Sequence, residues 1–105
     1  MANFAGCSTF QDVTLGTATV SFGGAAGIAY SPKCLKVKAG QMVTFQGGFG
    51  VHPLAQACGP AQVITNGTGT QTAFTFSVAG TYGFYCTLHG SAAGTGMAGA
   101  LLVVP

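Results

Sequence analysis

The sequence contains almost no charged side chains. Only 4% of its 105 residues are Asp, Glu, Lys or Arg, against about a quarter in an average globular protein. The net charge is +2 and no basic run is present, so the sequence lacks the cluster of basic residues typical of a nucleic-acid-binding protein. Asp12 is the only carboxylate side chain, which leaves general acid–base catalysis almost nothing to use. We therefore expect no nucleic-acid partner and no enzymatic activity.

Long apolar runs and a visible targeting segment are also lacking. No stretch is long enough to span a membrane, and the start "MANFAGCSTF" lacks the basic and apolar regions of a signal peptide. Four cysteines in a small chain rich in Gly and Thr favour an oxidising compartment. We therefore expect an exported protein, periplasmic or extracellular, whose signal peptide is absent from this chain.

The sequence does contain short segments of alternating polarity, which are separated by glycine-rich turns. Helical periodicity is not evident, although "GPAQVI" (residues 59–64) is compatible with a single turn. Several half-buried strands at this spacing predict an all-β fold, a β-sandwich, in one domain spanning residues 1–105. The candidate strands lie in residues 13–22, 34–40, 41–48, 71–80, 80–86 and 99–104.

Three side chains that can bind metals stand close together near the C-terminus. Alternation places Cys86 on the same strand face as Tyr82 and Phe84, which is the expected core face. His89 follows three residues later, where we expect the chain to have begun to turn. Met97 stands at the far end of a glycine-rich stretch, where the next strand should start. A loop between adjacent strands can bring both of its ends to one metal ion.

This donor set suits copper better than zinc. A thiolate, imidazoles and a weak thioether fit an ion that cycles between two oxidation states, whereas structural zinc usually takes four firm Cys or His ligands. The chain has two histidines, so the second imidazole must come from His52. The residues alone leave other interpretations open. Four cysteines can form two disulfides in three ways, Met97 can be a core residue, and His52 can be a loop residue without a role.

Two longer segments resemble the plastocyanin-like cupredoxins. "GTYGFYCTLH" followed by "GTGMAGALLVV" is similar to the family's C-terminal copper-binding segment, and "YSPKCLKVKAGQMVTF" is similar to the strands before its first histidine ligand. The resemblance covers about residues 30–104. It implies a Greek-key β-sandwich of seven to eight strands and one copper ion cycling between Cu(I) and Cu(II). It also implies one-electron transfer, with His52, Cys86 and His89 as equatorial ligands and Met97 as the long axial ligand.

The chain departs from the family pattern at two places. Seven residues separate His89 from Met97, where the family usually has four, as if "SAA" had been inserted. Met42 is the only internal alternative as axial ligand, and alternation puts it on the outer face of its strand. Pro53 stands where the family commonly has an asparagine that ties the ligand loops together. Proline has no donor, so another group must hold the loop of the cysteine ligand, and Thr87 is our candidate.

The other cysteines are interpreted through the same resemblance. Azurins join the corresponding regions by a disulfide, which favours a Cys7–Cys34 bond, with Cys34–Cys58 as the alternative. Cys58 would then be buried, oxidised or used for an intermolecular link, and the sequence leaves these fates open.

The resemblance further implies that electrons pass through the exposed ring edge of His89. We expect a monomer whose redox partner proteins dock on an apolar patch around that ring, with little dependence on salt because charges are few. Two other functions stay open: copper trafficking without redox turnover, and a metal-free, disulfide-stapled Ig-like binding module. The predicted patch consists of Phe49, Val51, Pro53, Leu54, Leu88, Ala92 and Ala93.

Overall fold

The computed structural model describes residues 3–105, which form two β-sheets that share one core. The all-β sandwich prediction is confirmed. Nine strands are present in the described residues, including β1 of only two residues, where seven or eight were expected. The strands are β1 Gln11–Asp12, β2 Ala18–Gly23, β3 Gly27–Ser31, β4 Cys34–Lys38, β5 Gln41–Gln46, β6 Leu54–Cys58, β7 Gln71–Phe76, β8 Gly80–Gly90 and β9 Gly96–Val104; short 3₁₀ turns lie at Phe4–Gly6 and Gly24–Ala26.

The five-stranded sheet has the order β1-β4-β9-β8-β6, and the four-stranded sheet has the order β3-β2-β5-β7. Most connections pass from one sheet to the other, as in Greek-key sandwiches. Strand β8 lies between β9 and β6 and is antiparallel to both. The strand predicted to hold the cysteine ligand is therefore fixed on both sides. Among residues 3–105, no helix has the length and hydropathy of a transmembrane span.

Alternating side chains from both sheets fill the core. In β2, every second residue is buried, and the same holds for the inward face of β4. Aromatic rings meet edge to face at the centre: Phe84 lies 4.9 Å from Tyr30 and 5.1 Å from Phe45, measured between ring centroids. The core therefore has an aromatic layer that includes Phe84, two residues before Cys86 on β8.

Two local expectations from the sequence are wrong. Residues 13–17 do not extend β2, because the Asp12 carboxylate accepts hydrogen bonds from the amide and hydroxyl of Thr14 and starts a turn. Residues 59–64 form an irregular loop and no helical turn, because the Gln56 side chain takes over their backbone groups. Its oxygen accepts from the amide of Ile64, and its amide donates to the carbonyl of Ala61.

The predicted disulfide between Cys7 and Cys34 is confirmed. The strand register excludes the alternative: Cys34 pairs with Ala100, Ala100 with Gly83, and Gly83 with Cys58. Two strands thus separate Cys34 from Cys58, a distance of about 14 Å at ordinary strand spacing and about twice what a disulfide spans. Cys58 has a free thiol and is half-buried.

Candidate metal centre

His52, Cys86 and His89 converge at one end of the sandwich. The Nδ1 atoms of the two histidines lie 3.2 Å apart. The Sγ atom of Cys86 lies 3.9 Å from Nδ1 of His52 and 3.7 Å from Nδ1 of His89. One nitrogen or sulfur atom from each side chain therefore faces a common centre, although the three residues come from two separate segments of the chain.

The size of this triangle matches one transition-metal ion. A point in the plane of the three atoms lies about 2.1 Å from each of them, close to metal–nitrogen bonds of about 2.0–2.1 Å and metal–sulfur bonds of about 2.3 Å. Two imidazoles and one cysteine sulfur are also the donor set of trigonal copper sites. The residues present therefore fit a copper ion in both geometry and chemistry.

An irregularity in β8 explains how Cys86 and His89 reach the same centre. In a regular strand, residues three apart point to opposite faces. Strand β8 continues to Gly90, so our expectation that the chain has already turned at His89 is wrong. After Tyr85 the register shifts, and pairing resumes only at Gly90 with Gly96, so that four residues of β8 oppose one of β9. This bulge turns His89 toward the side that Cys86 faces.

The apparent insertion "SAA" is absorbed by a closed turn, which we call the hairpin tip (residues 91–95). The amide of Ser91 donates to the carbonyl of Thr95, and the amide of Gly94 donates to the carbonyl of Ser91. The two hydroxyls of Ser91 and Thr95 lie 2.7 Å apart. Ala92 and Ala93 are exposed at its end. The additional residues therefore lengthen the hairpin outward, and both predicted ligands stay at its base.

Two glycines close that base. A Cβ on Gly90 would collide with the carbonyl oxygen of Met97, and a Cβ on Gly96 would collide with the carbonyl oxygen of His89. Gly96 also has a φ of 69°, which favours glycine. The close approach of these backbones brings the start of β9 against the end of β8.

Met97 is the second residue of β9, as predicted, and only 1% of its surface is exposed. It belongs to the same buried cluster as Cys86. Met42 is 57% exposed and pairs with Thr75 in the four-stranded sheet. Of the two internal methionines, only Met97 therefore lies in the core that backs the site.

The loop between β5 and β6 holds His52. Its backbone amide donates to the carbonyl of Gly48, which forms a turn. Its ring packs against Gly23, where an added Cβ would lie 3.4 Å from Cδ2, and against the edge of Phe22. The role of Gly23 was not expected from the sequence. Gly23 lies almost thirty residues before His52, and only the pairing of β2 with β5 in the four-stranded sheet brings the two together.

Two hydrogen bonds tie this loop to its neighbours. The amide of Thr87 donates to the carbonyl of Pro53, which confirms Thr87 as the residue that joins the two ligand segments. The carboxamide oxygen of Asn66 accepts from the amide of Leu54. Asn66 was missed because Asn-Gly is a common turn signal, and only the fold shows its side chain reaching β6.

A buried phenol lies in the aromatic layer behind Cys86. Tyr30 is 4% exposed, and its hydroxyl has no hydrogen-bond partner among the described residues. Burial and, to a smaller extent, the neighbouring thiol group of Cys86 raise the pKa of Tyr30. The back of the site is therefore formed by buried aromatic side chains.

The surface around the site is apolar and partly as predicted. His89 is exposed, and Val51 and Leu88 are 63% and 64% exposed. Phe49 and Leu54 were wrongly assigned to this surface: each is 2% exposed, because both side chains point into the core. The four charged residues lie on β1, on β4 and at Lys33 just before β4, and Lys36 contacts Asp12 at 3.4 Å. The surface around His89 is formed by segments without charged residues.

Comparisons with known proteins agree with this geometry. A sequence model of the family described as "Copper binding proteins, plastocyanin/azurin family" matches residues 17–104. A search of curated proteins found no match.

Solved structures are similar over most of the chain. A pseudoazurin from Methylobacterium extorquens AM1 has 20% sequence identity and a TM-score of 0.62, covering 84% of this chain and 75% of that one. A plastocyanin from Dryopteris crassirhizoma has 25% identity and a TM-score of 0.61, covering 82% of this chain and 99% of that one. A Cu-containing nitrite reductase from Thermus scotoductus SA-01 has 24% identity and a TM-score of 0.58; the match covers 85% of this chain but 22% of the reductase.

Proposed function

Since the chain belongs to the plastocyanin/azurin family of copper-binding proteins, we propose that it is a type 1 copper protein that carries single electrons between redox partners. The convergence of the Cys86 sulfur and one ring nitrogen from each histidine, all within 3.9 Å of one another, is the observation that supports this proposal most directly. In it, His52, Cys86 and His89 are the equatorial ligands and Met97 is the axial ligand. The bound copper supplies the one-electron chemistry by alternating between Cu(I) and Cu(II).

The protein's own contribution is to hold the donors in place. Cys86 is fixed by strand pairing on β8, where Leu54 of β6 lies opposite it. His52 is fixed by its turn and by the bond from Thr87 to Pro53. Donors held in this way move little when the charge of the ion changes, so little reorganisation accompanies electron transfer. The apolar layer behind the thiolate and a weak axial donor both favour a high reduction potential.

In this proposal Met97 is the axial ligand, because it is buried in the same core cluster as Cys86 and directly follows Gly96 at the base of the hairpin. Met97→Leu keeps the apolar volume and removes the sulfur. We expect a raised reduction potential and altered visible bands in the copper-loaded variant, with the fold retained. Met42→Leu, an equivalent change at an exposed methionine, is the control. A potential and spectrum unchanged by Met97→Leu would remove Met97 from the ligand set.

Electrons enter and leave through the exposed ring of His89. In this proposal, redox partners dock on the patch of Val51, Pro53, Leu88, Ala92 and Ala93. In this proposal the protein is a monomer, and residues 1–105 form a single cupredoxin domain. The core that both sheets share supports the single domain. Its export to the periplasm or the extracellular space is supported by the disulfide and by the family.

Electron self-exchange tests this docking surface. Because no charged residue lies in the segments around His89, the self-exchange rate should change little with ionic strength. In self-exchange, two molecules meet through the same patch. Leu88→Asp therefore brings two negative charges together and should slow the exchange roughly tenfold or more at low salt. Met42→Asp is the matched control, since Met42 is similarly exposed on the other sheet. Equal effects of the two variants would contradict the proposed patch.

Voltammetry separates electron transfer from copper trafficking. An electron carrier should show a reversible one-electron couple and keep its copper through repeated cycles. A protein that releases the ion on reduction would be a copper carrier instead, and one that takes up no copper would be a metal-free binding module.

A further inference from the structure

One side of the hairpin tip is covered, because Phe4 and Ala5 pack against Gly94. A Cβ on Gly94 would lie 2.7 Å from the backbone nitrogen of Ala5 and 3.3 Å from the ring of Phe4. Gly94 has a φ of 91°, so its backbone conformation also favours glycine. A side chain at position 94 would therefore collide with the backbone of Ala5, so this close approach requires glycine. The N-terminal segment and the tip are therefore fitted to each other.

The N-terminal segment, residues 3–7, is anchored across the outer face of the five-stranded sheet; we call it the strap. Its end is bonded to β4 through Cys7 and Cys34. The ring of Phe4 lies over Gly83 of β8, where an added Cβ would be 2.8 Å from it. Phe4 and Ala5 are only 5% and 8% exposed. The strap thus forms, with two alanines of β9, a second apolar cluster on the face opposite the main core.

The strap adopts an uncommon backbone conformation where it meets the tip. Ala5 has a φ of 55°, in the left-handed region that residues with a Cβ rarely occupy. Such a conformation persists only where surrounding contacts determine it. The contacts that surround the strap here are those of Ala5 with Gly94 and of Phe4 with Gly83 and Gly94.

We propose that the strap is a positioning element for the metal ligands on the hairpin. The tip is a closed turn directly attached to the Gly90–Gly96 pair, and His89 and Met97 adjoin that pair on either side. The contact between the tip and the strap limits movement of the whole hairpin. It therefore offsets the greater mobility that the additional residues of the loop would otherwise allow. This inference rests on the proposed function in taking His89 and Met97 as ligands.

Amide hydrogen exchange in the metal-free protein tests the strap directly. The reporters are the amides of Ser91 and Gly94, which close the tip. Phe4→Ala should speed their exchange about tenfold or more while leaving amides of β5 nearly unchanged. Phe10→Ala is the matched control, because Phe10 packs against the same cluster. Phe4→Leu keeps an apolar side chain on the sheet without the ring that meets Gly94, and should give a smaller increase.

A second measurement uses the copper-loaded protein. Phe4→Ala should change the copper hyperfine splitting in the electron paramagnetic resonance spectrum, and Phe10→Ala should not. Two results would overturn the proposal. One is an unchanged exchange rate of the Ser91 and Gly94 amides in both Phe4 variants, and the other is an equal rate in Phe4→Ala and Phe10→Ala. Exchange is measured without metal, so this outcome is separate from a failure of the proposed function. That failure would appear as absent copper binding, or as copper released on reduction, with the exchange of the Ser91 and Gly94 amides still dependent on Phe4.

Discussion

Replacing Tyr30 by Phe should stabilise the protein. The ring contacts of Tyr30 with Phe22 and Phe84, at centroid distances of 5.5 and 4.9 Å, are available to phenylalanine as well. The substitution removes only a hydroxyl that is buried without a partner among the described residues. Burying such a group costs about 1–3 kcal/mol, so Tyr30→Phe should raise the free energy of unfolding by about that amount.

The pH dependence of the free energy of unfolding provides a second test of the same prediction. Burial raises the pKa of Tyr30 in the folded protein, so above pH 10 the unfolded chain loses this proton while the folded chain keeps it. The stability of the wild-type protein therefore falls above pH 10, by up to about 1.4 kcal/mol per pH unit from this group. Tyr30→Phe lacks that loss, so its advantage should widen as the pH rises.

Urea unfolding of the metal-free protein measures both effects, at pH 7 and near pH 11. At the higher pH, both proteins should carry Cys58→Ala and Cys86→Ala, so that free thiols do not attack the disulfide. Tyr82→Phe is the control, and it should lower the free energy of unfolding, since the Tyr82 hydroxyl donates to the carbonyl of Val78 at 2.7 Å. It should cost about 1 kcal/mol. Lower stability of Tyr30→Phe at pH 7 would refute the reasoning, because it would mean that the hydroxyl has a partner.

Three further substitutions test the framework around the site. Replacing Cys7 and Cys34 together by Ala should lower the free energy of unfolding by about 3–4 kcal/mol, measured in urea, because the bond closes a loop with a sequence separation of 27 residues. Gly90→Ala should cost roughly 1–3 kcal/mol and weaken copper binding, measured by metal competition, because its Cβ meets the carbonyl of Met97. Asn66→Ala should destabilise by about 1–3 kcal/mol in thermal unfolding, and wild-type stability would show that its bond to β6 is unimportant.

Alternation in the sequence was sufficient to predict which side chains of β8 enter the core. The period of two placed Cys86 inward with Phe84, and the structure buries both completely. The choice of His52 followed from the chain having only two histidines. These features depend on neighbouring residues or on composition, which a single sequence displays directly.

The remaining features depend on pairing between distant segments. The sequence did not indicate β6, because its pattern "LAQAC" has little alternation and is defined by pairing with β8. The bulge that turns His89 arises from the mismatch in length between β8 and β9. The contact of Ala5 with Gly94 joins residues almost ninety positions apart. Local periodicity carries no information about any of these.

The most direct test of the metal centre is the visible spectrum of the metal-free protein titrated with Cu(II). We expect an intense blue band that saturates at one copper per chain, because the Cys86 thiolate and the two imidazoles form one trigonal donor set. Cys86→Ser should abolish the band, whereas Cys58→Ser, which removes the other free thiol, should leave it unchanged. A colourless wild-type protein, or a band that survives Cys86→Ser, would contradict the assignment of this site.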